Sequence, residues 1–393
     1  MTVVDRWLLP DGVDELLPDM ALRVESLRRR ILDLYTSWGY DLVIPPLVEF
    51  TDSLLSGTGS DLDLMTFKIT DQISGRMMGV RADVTPQTAR MDAHSLRRDG
   101  PNRLCYASSV LYTRQQNALA SRNPIQIGVE LYGEPGLEAD CEVIQLMVET
   151  LQLAGLPKVN LDLGHVGIYR SLIESTSLDN EQQQELFKLL QGKAVPQLTV
   201  WLRKNMDDPQ MIQWIAELVN LTGDETVLDQ AREIFSKAPA EVELALDELQ
   251  VVVDAVRQQT PNAEVFLDLG ELRGYHYHTG IVFAAFVPGL GQAIGNGGRY
   301  DHVGEAFGRS RPATGFNLDL KALARMSGAN DEGPKGIFAP ADDNPGWQQA
   351  IAELRSNGER VICGFSGQQP NFAELNCDRQ LIFQGGAFTV VQV

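Results

Sequence analysis

Two stretches hold most of the side chains in this chain that could do chemistry: ELRGYHYHTG, from Glu271 to Gly280, and GNGGRYD, from Gly295 to Asp301. They bring Arg273, Tyr277, His278 and Tyr300 close together in sequence, beside a run of glycines. A guanidinium suits the carboxylate of a small zwitterion, because its planar fork of donors meets two oxygens at once. Phenol and imidazole groups suit a polar ring. The alternation of His276 and His278 predicts an extended segment with both rings on one side. No third His, Asp or Cys follows at metal-ligand spacing, so the pair reads as polar pocket lining, and no metal or other cofactor is expected.

Further candidates lie upstream. RADVTPQTAR, from Arg81 to Arg90, places Asp83 and Thr85 on one face if its entry is extended. Gln126 and Glu130 share a face of the strand-like run IQIGVELYG, at i and i+4. On an exposed face Glu130 would simply point to solvent. Taken together with Arg273, Tyr277 and Tyr300, these residues complement each part of free histidine. Arg273 pairs with the carboxylate; Asp83, Thr85 and Gln126 take the ammonium; Glu130 and a tyrosine hydroxyl hold the two imidazole nitrogens. The glycines of PGLGQAIGNGG do not make a nucleotide loop, which would need a strand before and a helix after, or a terminal Lys-Ser or Lys-Thr. They read as a hairpin turn, or as backbone lining a small ligand.

The elements that must position these residues follow from periodicity. Pro18 starts a helix with apolar positions Leu27, Ile31, Leu34 and Trp38, and Gly39 ends it. Leu42 to Phe50 reads as a strand broken by a double proline, which belongs at an edge or interface. Strand-like runs follow at 77–81, 103–111, 125–133 and 159–166, with a helix over 141–155. From about Ile173 to Gln258 the chain is almost continuously helical. The stripe Val242, Leu246, Leu249, Val253 and Val256 reads as the core-facing side of a helical subdomain. Strands resume at 265–270, 279–287 and 314–320. A helical insertion at about 173–260 thus interrupts one largely antiparallel sheet in a domain of residues 1–325. ANDEGPKG, from Ala329 to Gly336, reads as a linker to a small α/β unit over 330–393.

The 393 residues suffice for roughly two or three domains of about 150 residues. A formal charge of −20, from 33 basic and 53 acidic residues, excludes a broad nucleic-acid-binding surface but leaves room for a local basic site. Four widely spaced cysteines without a CxxC pair read as reduced structural thiols. No apolar run reaches the roughly 20 residues of a membrane span. The first residues lack the basic and apolar regions of a signal peptide. A soluble, cytoplasmic protein is expected, with no membrane partner.

The motifs resemble those of the histidyl-tRNA synthetase family of class II synthetases. PPLVEF with its preceding helix is similar to the family's first motif. RADVT, the run from Arg103 to Gly133, ELRGYHYHTG, GGRYD and TGFNLDL follow in the family's order, over roughly residues 5 to 325. RGYHYHTG with GGRYD resembles the histidine branch specifically, although His278 stands where the synthetases have a second pocket tyrosine. The resemblance implies an α+β fold: a class II antiparallel sheet flanked by helices, with a helical insertion, usually in a dimer.

The departures from that pattern concern ATP and tRNA. The second-motif arginine that contacts the α-phosphate falls at Tyr112. The third-motif arginine falls at Ala322, with Asp319 in place of a glycine. One fixed cation in such a site is worth about 3 kcal/mol of transition-state stabilisation. Arg114, Arg122 and Lys321 are the nearby candidates to replace it. The tail carries only Lys335, Arg355, Arg360 and Arg379 against eight Asp and Glu, a poor tRNA platform.

A chain that keeps histidine recognition and loses these features closely resembles the regulatory subunits of ATP phosphoribosyltransferase. This implies a non-catalytic paralogue that activates a short catalytic subunit in the first step of histidine biosynthesis. It also implies feedback inhibition by L-histidine and a homodimer within a larger hetero-oligomer, without tRNA. An active histidyl-tRNA synthetase and a free-standing histidine sensor are the alternatives.

Overall fold

A computed structural model describes residues 7–56, 60–115, 120–272, 274–275, 277–327 and 335–393. The chain divides into two compact units. The larger takes residues 24–327 with the preceding 7–16, and the smaller takes 335–393 with 17–23.

Among the described residues of the larger unit, nine strands form one sheet. Its order is Asp41–Leu42, Asn102–Ser109, Ile125–Tyr132, Ala313–Asp319, Gly295–Arg299, Ile281–Phe286, Val159–His165, Ala263–Asp268 and Thr222–Gly223. The sheet is antiparallel through its centre, but two pairs are parallel: Asp41–Leu42 with Asn102–Ser109, and Val159–His165 with Ala263–Asp268. The expectation of a largely antiparallel sheet holds for the strands that carry the site. It misses the parallel pairs, because those partners are joined by long excursions, one through a separate three-stranded sheet and short helices and the other through the helical insertion, rather than by turns.

The double proline splits its strand as expected. Asp41–Leu42 lies at the edge of the main sheet, and Val48–Phe50 pairs instead with Met77–Val80 in a three-stranded sheet. Buried Arg81 holds the bend between them, donating to the carbonyls of Pro45 at 2.8 Å and Pro46 at 3.3 Å.

Helix Pro18–Ser37 begins with its proline at the first position, where the missing N–H costs nothing, and Gly39 follows it in the left-handed region (φ +83°). It buries Val24, Leu27, Ile31 and Tyr35 rather than the expected Leu34 and Trp38, a stripe rotated by one position. Tyr35 meets Phe316 of the sheet edge to face at 6.1 Å.

The helical insertion is present as helices Asn180–Gln191, Val195–Asn205, Pro209–Glu217, Thr226–Ile234 and Ala240–Gln259. It does not stand apart from the sheet. The last helix buries the predicted stripe of Val242, Leu246, Leu249, Val253 and Val256 against helix Leu137–Leu153, helix Val166–Glu174 and strand Val159–His165. No helix among the described residues is long and apolar enough to cross a membrane. All four cysteines are free, and burial pushes the Cys105 thiol up to about 12, so it is inert at neutral pH.

In the smaller unit, strand Gly336–Ala339 runs parallel to Val361–Cys363 and Cys377–Gln384, and the latter pairs antiparallel with Ala387–Gln392. Helix Trp347–Ser356 covers this sheet through Ile351, packed with Ile337, Val361 and Leu381. Most of the predicted linker lies outside the described residues. Its last residue, Gly336, already belongs to the first strand.

Candidate functional site

The site is built on the centre of the large sheet. Side-chain alternation along Ile125–Tyr132 puts Gln126 and Glu130 on one face, and buried Ile127, Val129 and Leu131 on the other. Glu130 pairs across the sheet with Gly315, and a Cβ at that glycine would collide with Glu130 Oε2 and crowd the Tyr300 hydroxyl. Gly128 serves similarly, leaving room for the phenol of Tyr106 to cross over its backbone. From there the Tyr106 hydroxyl donates to Glu130 Oε1 at 3.1 Å, and the Thr85 hydroxyl donates to the same oxygen at 2.7 Å.

The expected extended geometry of Asp83 and Thr85 is not found. Val84 has helical dihedrals and Thr85 opens helix Thr85–Arg90, so the two side chains meet around a turn. The Thr85 N–H donates to Asp83 Oδ1 at 3.4 Å, and the Val84 N–H donates to Gln126 Oε1 at 3.1 Å. Proline at position 86 favours this helix start, since Pro is tolerated only in the first turn.

Of the two readings of the glycine run, the hairpin turn falls on residues 287–294, which join antiparallel strands Ile281–Phe286 and Gly295–Arg299, and Gly297 beyond it lines the cavity as backbone. The glycines of GNGGRYD themselves form an interior strand, Gly295–Arg299, hydrogen-bonded on both sides. A Cβ at Gly297 would strike the Gly315 carbonyl and the Phe283 ring, so this close approach needs glycine. Arg299 of the same motif is structural. Its Nε and Nη2 donate to buried Asp140 Oδ2 at 3.0 and 2.6 Å.

Tyr277 and His278 lie in a turn rather than a strand, with both N–H groups donating to the Gly274 carbonyl at 2.8 Å. Gly274 is left-handed (φ +65°) and a Cβ there would strike the His278 ring, which requires glycine. The Tyr277 ring stacks on Tyr300 at 4.9 Å, and His278 approaches Tyr277 edge-on at 5.3 Å. Arg273 and His276 lie outside the described residues.

These elements enclose a cavity of about 160 Å³ lined by Asp83, Thr85, Glu130, Tyr277, His278 and Tyr300, with Asn296, Gly297 and Asn317 closing it. Six of the eight expected residues therefore converge. Gln126 does not line this space; it lies on the wall of an adjoining cavity of about 640 Å³ that shares Asn296 and Asn317. Sequence reasoning missed Tyr106, Gly315, Asn296 and Asn317. Only the strand-interior glycines hinted at them, by marking where another group must come close.

Three buried polar atoms facing the smaller cavity have no partner among the described residues: Glu130 Oε2, Tyr277 OH and Tyr300 OH. Burial, reinforced by the neighbouring Asp83 charge, pushes the Glu130 carboxyl well above the usual range, and the Thr85 and Tyr106 hydroxyls oppose this only in part. Burial likewise raises Asp83. Such a site favours a ligand that brings donors and positive charge.

The larger cavity holds Tyr112, Asp319 and Ala322, the three departures from the synthetase pattern. Of the nearby cations, Arg114 is exposed and outside the lining of this cavity, Arg325 lies on its wall, and the others are engaged with protein groups. Lys321 is buried and donates to Asp14 Oδ1 at 3.0 Å, and Arg325 donates to Asp14 Oδ2 at 2.5 Å. Arg122 is spent on the carbonyls of Tyr112 and Asp11, both at 3.0 Å.

Fold and site together define a class II aminoacyl-tRNA synthetase-like scaffold with a small, acid- and tyrosine-lined cavity beside a larger one to which Tyr112 and Ala322 bring no charge. Residues 12–323 match the histidyl-tRNA synthetase family, and residues 334–391 match the family described as ATP phosphoribosyltransferase subunit HisZ C-terminal domain. The chain belongs to the ATP phosphoribosyltransferase regulatory subunit family, and is a non-catalytic relative of the synthetases. It is 56% identical over 391 residues to the ATP phosphoribosyltransferase regulatory subunit of Teredinibacter turnerae, covering 99% of each chain. It is 54% identical over 393 residues to that of Saccharophagus degradans, covering 100% of each. Among solved structures, it resembles an ATP phosphoribosyltransferase regulatory subunit/histidyl-tRNA synthetase from Bacillus halodurans, with a TM-score of 0.82, 26% identity and 94% and 95% of the two chains covered. The histidyl-tRNA synthetase of Nostoc shares the fold, with a TM-score of 0.79 at 19% identity over 98% and 97% of the two chains.

Proposed function

We propose that the smaller cavity binds free L-histidine and that its occupancy regulates a short catalytic subunit of ATP phosphoribosyltransferase. The observation that carries this reading is the convergence of Glu130 Oε2, Tyr277 OH and Tyr300 OH, all buried and unpartnered among the described residues, on one small space. At about 160 Å³ it falls below the roughly 300–1,000 Å³ of sites for drug-sized ligands, which suits a single amino acid. Glu130 and the tyrosine hydroxyls serve the imidazole, Asp83 and Thr85 serve the ammonium, and Arg273 serves the carboxylate. Gln126 acts through Val84 by holding the turn that presents Asp83 and Thr85.

Regulation requires that histidine bind two states of the assembly with different affinity, since a ligand shifts an equilibrium only by that difference. In this reading a homodimer of the chain assembles with the catalytic subunit in the cytoplasm, in the first step of histidine biosynthesis. Mixing the chain with a short catalytic subunit tests it. Condensation of ATP with phosphoribosyl pyrophosphate should require the chain and fall when histidine is added. With Glu130→Gln, activation should persist and the response to histidine should be lost. Activity indifferent to both chain and histidine would overturn the reading.

A further inference from the structure

The segment carrying Tyr277 and His278 is held from behind by helix Val166–Glu174 and by Asn180–Gln191, the first helix of the insertion. Arg170, half-buried on helix Val166–Glu174, sends one guanidinium nitrogen to two backbone carbonyls of that segment: His278 at 2.8 Å and Tyr275 at 3.3 Å. The guanidinium also lies 5.4 Å from the centroid of the Tyr275 ring, within range of a cation–π attraction. That ring meets Tyr169 edge-on at 5.0 Å and Phe187 of helix Asn180–Gln191 at 5.7 Å. Two residues further on, Tyr277 stacks on Tyr300 in the cavity wall.

The described residues of this segment are tied by backbone hydrogen bonds. Tyr275 N–H donates to the Leu272 carbonyl at 3.0 Å, Tyr277 and His278 both bond to Gly274, and Thr279 N–H donates to the Arg299 carbonyl at 2.7 Å. Arg170 thus holds the carbonyl of His278, a residue of the cavity wall, and that of Tyr275 with the same nitrogen, so an adjustment of His278 to a ligand bears directly on that contact.

We propose that Arg170 is a positioning residue for the Tyr277–His278 wall, and that through Tyr275 it transmits occupancy of the cavity to helices Val166–Glu174 and Asn180–Gln191. This rests on the reading of the cavity as a histidine site. The coupling element is a physical contact chain, and it makes a prediction that simple support of the fold would not.

Hydrogen–deuterium exchange and calorimetry on the full chain, with histidine as ligand, test this. In the wild type, histidine should slow exchange across 166–191 as well as around Thr85 and Glu130. Arg170→Ala should weaken histidine binding about tenfold, as expected for lost charge-assisted hydrogen bonds. At saturating histidine it should also lose the slowing at 166–191 while keeping that around Thr85 and Glu130. Arg170→Lys should restore part of both effects, because an ammonium keeps the charge without the planar fork. It carries the same test if the alanine variant does not fold. Wild-type affinity in the variants, or full slowing at 166–191 at saturation, overturns the inference. A wild-type chain that binds histidine without slowing 166–191 overturns it alone. A wild-type chain that binds no histidine removes the underlying reading, and calorimetry distinguishes that case.

Discussion

The Thr85 hydroxyl donates to Glu130 Oε1 at 2.7 Å, which points the buried carboxyl so that Oε2 is left without a partner among the described residues. The hydroxyl comes from the start of a short helix and the carboxylate from a central strand, so the cavity exists only once these elements are assembled. One oxygen is fixed by the protein, and the other is presented to whatever enters. The arrangement resembles a socket, and its consequences can be measured.

Truncating Glu130 should cost ligand affinity. A hydrogen bond to a charged group is worth about 1.5–3 kcal/mol, so Glu130→Ala should weaken histidine binding at least about tenfold. Unchanged affinity by titration calorimetry would discard the assignment of this pocket.

The same residue should leave a signature in the pH dependence of stability. In the ligand-free folded chain Glu130 holds its proton more tightly than in the unfolded chain, because burial raises its carboxyl. Stability is therefore lost as pH rises from the ordinary carboxylate range toward the raised value. Glutamine cannot ionise, so Glu130→Gln should gain stability relative to wild type as pH rises from about 5 to 8. Urea denaturation without histidine measures this, and parallel curves for the two proteins would contradict it.

Arg299 should prove to be a residue of the fold rather than of the pocket. It neutralises Asp140, whose side chain has no exposed surface, and also donates to the Gly136 carbonyl at 2.9 Å. Removing one member of a buried pair costs about 3–5 kcal/mol, so Arg299→Ala should be destabilised by that order in urea. A loss below about 1 kcal/mol would show that Asp140 finds another partner.

Asp14 should likewise act through charge. Burial works against its ionisation, but the Ser121 hydroxyl, Lys321 and Arg325 outweigh this and hold its carboxyl below the usual range. Its contribution is then present above the ordinary carboxylate range and fades as pH falls through the lowered value. Asp14→Asn should lower stability at neutral pH by about 2 kcal/mol, less than for a fully buried pair, with the difference shrinking in acid. An equal loss at pH 7 and in strong acid would sink this account.

Histidine-dependent exchange of pyrophosphate into ATP should be absent from the purified chain. Tyr112 and Ala322 supply no charge to the larger cavity. Asp319, which caps helix Leu320–Met326 by accepting from the Lys321 N–H at 2.9 Å, adds an acid, and the cation on the cavity wall, Arg325, is paired with Asp14. Exchange above background would show that phosphates are bound there after all.

Much of the fold was legible because its signals are local. The alternation in IQIGVELYG, the proline that starts helix Pro18–Ser37 and the apolar stripe ending at Val256 each follow from short-range periodicity, and the structure shows the corresponding elements. The errors were local readings overruled by context. The turn read in the glycine run stops at residue 294, and the glycines of GNGGRYD lie beyond it in an interior strand, where a Cβ at Gly297 would strike Phe283 and the Gly315 backbone. Asp83 and Thr85 looked extended, but Pro86 favours a helix start at that point.

By itself the sequence determined which side chains were available: the acids, hydroxyls and rings that line the small cavity, and the uncharged Tyr112 and Ala322 where the resemblance to the synthetases implies arginines. Residue types and their order suffice for that. Only the tertiary structure decided which of them meet. It placed Gln126 outside the small cavity, spent Arg122 and Lys321 on other partners, and turned the unpaired oxygens of Glu130, Tyr277 and Tyr300 toward one space. The reason is that hydrogen-bond pairing and desolvation depend on neighbours brought together by strand register, and register across distant strands is not written in local spacing.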